Sequence, residues 1–266
     1  MKIRIKIRKF KLNKREKIVV ASVVLSLGLV STQLVPFYLT YRFIIGLTVL
    51  AYCLSLWALW EEMDKQKAVL LLILPTLFTL AIASYYFLLP VRWLTRLPVA
   101  FLFGLTFYIL LLSQNVFNVA SSRTIPLYRV ASTTILILTL ITAYLLFNVL
   151  FSFNMLFIFN GIGIFLICVP LILQMMWSLE MEGLNSLVIV YTLILSLLIA
   201  ELGTILSFWP ISKAMASLVL STGLYITLGI SAHTFKERLN RGVIWEYVGW
   251  GVLIFLVAIF ATSWRG

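Results

Sequence analysis

The stretch LNSLVIVYTLILSLLIAELGTILSFW, Leu184–Trp209, contains one charged residue, Glu201. Its apolar residues do not alternate with polar ones, so it does not read as a half-buried strand. Coiled as a helix at about 1.5 Å per residue, it would be roughly 39 Å long, more than the ~30 Å of hydrocarbon in a bilayer. A water-soluble fold would have to cover such a segment on every side, whereas lipid accepts it directly. Backbone polar groups must pair inside hydrocarbon, so the segment spans as a helix.

The same pattern recurs in both directions. Towards the C-terminus lie Ile211–Ala232 and Val243–Trp264; towards the N-terminus lie Met155–Trp177, Leu127–Phe151, Leu97–Phe117, Ala68–Leu89, Tyr41–Trp60 and Ile18–Val35. The expected fold is therefore all-α, a polytopic transmembrane helix bundle of about nine spans, with eight as the alternative. Ile211–Ala232 is the weakest span, because it carries Ser212, Lys213, Ser217, Ser221, Thr222, Thr227 and Ser231. None of the runs shows the period-two alternation of a barrel strand.

Composition agrees. The chain has 266 residues, 62% hydrophobic and 11% charged. An average soluble domain is about half apolar and about a quarter charged. Two regions follow: a basic cytoplasmic N-terminal arm over residues 1–17 and a single transmembrane helical domain over 18–266. Ile18–Val35 reads as a retained span, because it is longer than a signal core and no small-x-small cleavage pattern follows it. Pro36, Pro90, Pro98, Pro126 and Pro210 fall at span ends, where a missing N–H costs little. Trp60, Trp93, Trp177, Trp209 and Trp264 also lie near ends, as an interfacial aromatic belt would place them. The longest polar stretches between spans are expected near Ser113–Pro126 and Thr234–Gly242.

The net charge of +12 does not point to nucleic acid. Nine basic residues fall within the first 17 positions, and most others sit at the ends of apolar runs. With the N-terminus in the cytoplasm, 16 of the 21 Lys and Arg residues lie inside and five (Arg42, Arg92, Arg96, Lys213, Arg265) outside. This asymmetry predicts a cytoplasmic-membrane protein with its N-terminus inside and its C-terminus outside. In the arm, Lys2, Arg4, Lys6, Arg8, Lys9 and Lys11 suit anionic lipid headgroups, and a plain topology anchor explains them equally. Lipid is thus the expected partner, with other membrane subunits as further candidates.

Few residues could carry chemistry. A charge at the centre of a span costs about 2.5–3.5 kcal/mol, so Glu201 is expected to face the bundle interior. Lys213 is its nearest cation in sequence, across the Trp209-Pro210 turn. Asn160 joins them as a candidate intramembrane polar site, because the sixth span reads as irregular: Asn160-Gly161-Ile162-Gly163 is followed by Pro170, where a kink is expected. Glu201 and Lys213 could form a proton or cation site, or a structural pair. A second candidate is a cytoplasmic-side polar cluster of Gln114, Asn115, Asn118, Arg123, Arg129 and His233, with Gln174 near it. It could hold a phosphate-bearing headgroup or a partner loop, or be a solvated loop with snorkelling arginines. Small residues four apart (Ala51 and Ser55, Ala100 and Gly104, Ser196 and Ala200, Ser217 and Ser221) predict close helix approach. Cys53 and Cys168 read as buried thiols at similar depth.

Much is lacking. His233 is the sole histidine and Asp64 the sole aspartate. A His-rich metal site and an aspartyl dyad are excluded, and a Ser-His-Asp triad would need both unique residues together. No phosphate-binding glycine loop, dinucleotide fingerprint or nucleophile elbow occurs, so no cofactor is expected.

The segment Gln114-Asn115-Val116-Phe117-Asn118-Val119-Ala120-Ser121-Ser122-Arg123-Thr124-Ile125-Pro126-Leu127-Tyr128-Arg129 resembles a stretch of uncharacterised multi-span membrane proteins from bacteria of the candidate-phyla type. The resemblance covers under a tenth of the chain and implies a hydrophobic bacterial membrane protein. Three functional readings stand: a non-catalytic membrane component or scaffold subunit, a secondary transporter or channel using Glu201, and an intramembrane enzyme acting on lipid.

Overall fold

The computed structural model describes residues 13–32, 36–60, 65–89, 93–120, 127–180, 184–235 and 237–262. These form nine α-helices: α1 Lys14–Ser31, α2 Thr40–Leu59, α3 Lys65–Leu88, α4 Trp93–Ala120, α5 Tyr128–Ser152, α6 Phe157–Glu180, α7 Ser186–Leu206, α8 Lys213–Phe235 and α9 Arg241–Ala261. A short 3₁₀ turn, Phe37–Leu39, precedes α2. No strand occurs among the described residues. Helices α2 to α9 are each long and apolar enough to cross a membrane. The expected all-α bundle is the observed fold.

Helix α1 is not one of those eight, and it differs from the first span read in the sequence. Helix α1 starts at Lys14, inside the stretch read as an arm, and ends at Ser31 rather than Val35. Its start is fixed by a capping box: the Asn13 backbone N–H donates to Glu16 Oε2 at 2.8 Å. Lys14, Arg15, Glu16 and Lys17 therefore occupy its first turn, which leaves it the most charged of the nine. Ile18, Ala21, Ser22, Leu25 and Leu29 form its buried stripe.

Contacts between helix ends show that the chain reverses direction at every connection. At one end, Lys17 of α1 lies 5.8 Å over the Trp57 ring of α2, and Asn118 of α4 donates to the Leu59 carbonyl. Tyr128 of α5 stands edge-on to Phe117 and donates to the Ser178 carbonyl of α6. At that end too, Tyr191 of α7 meets Phe235 of α8, and His233 meets Tyr247 of α9. At the opposite end, Arg96 of α4 reaches the Leu89 carbonyl after α3, and Lys213 of α8 reaches the Ser152 carbonyl of α5. Phe157 of α6 packs on Phe208 after α7, and Trp209 on Phe255 of α9. The start of α1 and the end of α9 thus lie at opposite ends of the bundle.

Small residues bring the helices together as expected. Ser26 of α1 donates to the Ala100 carbonyl of α4 at 2.8 Å, and a methyl at Gly104 would come within 3.1 Å of Ser26 Cβ. Ala51, Ser55, Ser196, Ala200, Ser217 and Ser221 are all buried. The hydroxyls that made the eighth span look weak turn back on their own helix. Ser217 donates to the Lys213 carbonyl, Ser221 to that of Ser217, Thr222 to that of Leu218 and Thr227 to that of Leu224. Bonded this way, they present little polarity to their surroundings. Helix α9 is the most peripheral: Ala258 is its buried residue, while Trp245, Trp250, Phe255 and Phe260 are exposed.

Pro36 and Pro210 lie between helices as expected, while Pro98 does not. Pro98 lies inside α4, because that helix starts at Trp93. Pro75 and Pro170 also lie inside helices, α3 and α6. Trp60 is exposed at the end of α2, but Trp177 is buried in the core. The side chains of Trp93 and Trp264 lie outside the described residues.

Candidate functional site

The intramembrane candidates lie in α6, α7 and α8. Helix α6 runs without a break in its assignment from Phe157 to Glu180 and holds Pro170 in its interior. The glycines there serve packing: a methyl at Gly161 would collide with the Thr204 side chain of α7, and one at Gly163 would come within 2.8 Å of Leu150 of α5. On α7, a methyl at Gly203 would collide with Ile164. Gly161, Ala200 and Gly203 are therefore where the two helices lie closest.

Outward from this seam, α6 and α7 diverge into a groove of about 630 Å³. Phe157, Ile158, Ile162 and Phe165 form one wall; Leu197, Ile205 and Phe208 form the other. Gly161, Ala200 and Thr204 line the seam between them. The Thr204 hydroxyl donates to the Glu201 carbonyl at 2.7 Å, which removes its polarity from the groove.

Glu201 is part of this lining and is exposed. The expectation that it faces the bundle interior is overturned. The interior face of α7 is taken by Val188, Thr192, Leu195, Ser196, Ile199, Ala200, Gly203 and Leu206. Glu201 follows Ala200 by about 100° around the helix, which turns it outward. It lies five residues before the end of α7, about 7.5 Å along the axis. No described residue makes a hydrogen bond or ion pair with its carboxyl group.

Lys213 does not join it. The Lys213 ammonium points to the Ser152 carbonyl at the end of α5, 3.5 Å away, where helix carbonyls favour a cation. Asn160 is buried and faces the end of α7. Its amide donates to Ser207 Oγ at 3.1 Å and to the Met155 carbonyl at 3.4 Å, while its Oδ1 has no partner among the described residues. Glu201, Lys213 and Asn160 share one end of the bundle but three separate environments.

The second candidate cluster is also divided. The stretch from Ser113 to Ala120 is the last part of α4 rather than a loop. Gln114 and Asn118, four residues apart on one face, are both buried, and Asn118 donates to Leu59. Gln114 has neither amide atom satisfied within the described protein, and Gln174 of α6 leaves its Oε1 without a partner. Asn115 is half-buried, and its Oδ1 is likewise unmatched. Arg129 is exposed in the first turn of α5, while half-buried His233 stands 6.1 Å from the Tyr247 ring. Arg123, Asp64 and the arm residues Lys2, Arg4, Lys6, Arg8, Lys9 and Lys11 lie outside the described residues.

Cys53 is exposed on α2 rather than buried, Cys168 is buried on α6, and both are free. No group of three or more His, Cys, Asp or Glu residues suited to a metal occurs among the described residues. Sequence reading missed Arg96. It is buried to 5% exposure, donates to the Leu89 carbonyl at 3.3 Å and lies 5.1 Å over the Tyr86 ring. The only hint in the sequence is its place between two spans, where arginines usually snorkel to water.

No curated protein and no solved structure matches the chain. One family model does, over residues 25–261, which takes in all of α2 to α9 and the last seven residues of α1. The chain therefore belongs to the family described as Protein of unknown function (DUF5656).

Proposed function

We propose that this chain is a non-catalytic component of a bacterial cytoplasmic membrane, a scaffold or subunit that engages a partner inside the bilayer through the α6–α7 groove. The observation that supports this reading is the position of Glu201: a carboxyl group five residues inside the end of an apolar helix, on the outside of the bundle. A carboxyl that served a translocation path would line the interior or a water-filled cavity. One facing hydrocarbon is costly unless something covers it. A second protein seated in the groove supplies that cover. The bacterial setting follows the resemblance around Gln114–Arg129. The N-inside, C-outside orientation follows the distribution of Lys and Arg, and the basic residues that end inside would meet anionic headgroups.

Thiol labelling tests the reading. In a Cys53→Ala background, Glu201→Cys should resist a membrane-impermeant maleimide applied to either side of sealed vesicles, while Arg238→Cys labels. Labelling at position 201 by the impermeant reagent would reveal water beside it and favour a transporter or channel. That second reading draws on the buried amides of Gln114 and Gln174, whose unmatched atoms would suit a polar path. It predicts that Gln114→Cys is labelled from the cytoplasmic side.

A further inference from the structure

The groove is shaped for a helix. Its lining residues recur at positions 157, 158, 161, 162 and 165 on α6, and at 197, 200, 201, 204 and 205 on α7 with 208 just past its end. These are the three-and-four spacings of ridges between which a third helix packs. The longer row covers eleven residues of rise, about 16 Å, or three helical turns. Aromatic walls at Phe157, Phe165 and Phe208 flank a seam of small residues. Against this apolar lining stands one charge, Glu201.

From this we infer that the occupant is a transmembrane helix of a different protein, bearing a single lysine or arginine at the depth of Glu201. The inference rests on the groove being a partner face. Charge complementarity selects the basic residue: two opposite charges brought together inside hydrocarbon satisfy each other, and each alone is costly. A lipid amine is a poor match, because reaching a carboxyl about 7.5 Å inside the end of α7 would pull a headgroup into the acyl region. A second copy of this chain is also a poor match. Among the described residues at the same end of the bundle, the exposed cations Arg42 and Lys213 stand in the first turns of α2 and α8. Arg42 donates to the Tyr41 hydroxyl at 2.9 Å, and Lys213 is engaged by the Ser152 carbonyl.

The test uses the full chain in liposomes, with Cys53→Ala and a reporter cysteine at Ile205→Cys on the groove wall. The probe is a leucine-rich transmembrane peptide of about 20 residues. It carries one lysine about five residues from its end and a cysteine one turn away; its twin has leucine in place of lysine. The lysine probe should crosslink to position 205 about three- to tenfold more than the leucine twin, the range expected of polar helix contacts in membranes. Glu201→Gln should abolish the difference. Glu201→Lys with a glutamate-bearing probe should restore it, which separates loss of the pair from misfolding. Equal crosslinking of both probes, or a preference that survives Glu201→Gln, overturns the basic partner while leaving the groove as a partner face. Crosslinks mainly between two copies of the chain overturn it in favour of self-association. No probe in the groove, together with water-accessible Glu201→Cys, overturns the partner-face reading itself.

Discussion

Arg96 shows how far single residues can depart from what their sequence position suggests. It is held by two interactions that the sequence does not announce: a hydrogen bond to the carbonyl that follows α3, and the face of the Tyr86 ring. Together they tie the start of α4 to the end of α3. Arg96→Ala removes a charge-assisted bond, a cation–π contact and the packing of a buried stem, and should cost about 2–3 kcal/mol. Arg96→Lys keeps the charge but loses the planar fork, so its thermal midpoint in detergent should fall between those of wild type and alanine. A lysine variant as unstable as alanine would mean that the guanidinium geometry carries the whole effect. Glu201 was legible as the informative residue because a charge inside an apolar run is costly anywhere. The direction it faces was not legible. That depends on which side of α7 meets α6 and α8, and the α7 run is apolar on all its faces.

Among the elements, α6 and α7 form the most closely approached pair, and they owe this to residues without bulk. A methyl at Gly161 meets the Thr204 Cγ2 methyl, so Gly161→Ala should destabilise the bundle by about 1–2 kcal/mol as an overpacked contact. Thr204→Ser removes that methyl and keeps the hydroxyl, so the double variant should recover part of the loss in a detergent melt. Strict additivity of the two changes would show that the side chains do not meet. Helix existence was readable from run length alone, and the spans from α2 to α9 agree with their sequence limits to within a few residues. The errors occurred where polar residues were taken to end a helix. Gln114 and Asn118 lie four apart on one buried face and continue α4, because no glycine or proline interrupts the stretch before Ala120. Asn160-Gly161-Ile162-Gly163 reads as irregular in sequence, yet the glycines let α6 approach α5 and α7. The eighth span looked marginal by composition, but its hydroxyls bond to their own backbone.

For the whole molecule, the decisive feature is the reversal of chain direction at every connection, seen in the pairing of Lys17 with Trp57 at one end and of Trp209 with Phe255 at the other. Membership of the family spans residues 25–261, so this bundle is what the family model describes rather than an appendage to it. Many large apolar side chains are exposed along α2 to α9, where a bilayer accepts them. Glu246 of α9 is also an exposed carboxyl five residues inside a helix end, and the partner reading depends on Glu201 because that carboxyl lines the groove. The nine-span reading predicts termini on opposite sides of the membrane, with the basic start on the cytoplasmic side. Cysteine labelling in intact cells and in inverted vesicles measures this directly, using Lys9→Cys and Arg265→Cys in a Cys53→Ala background. Labelling of position 265 only from outside and of position 9 only from inside is the predicted result; labelling of both from the same side would contradict nine crossings.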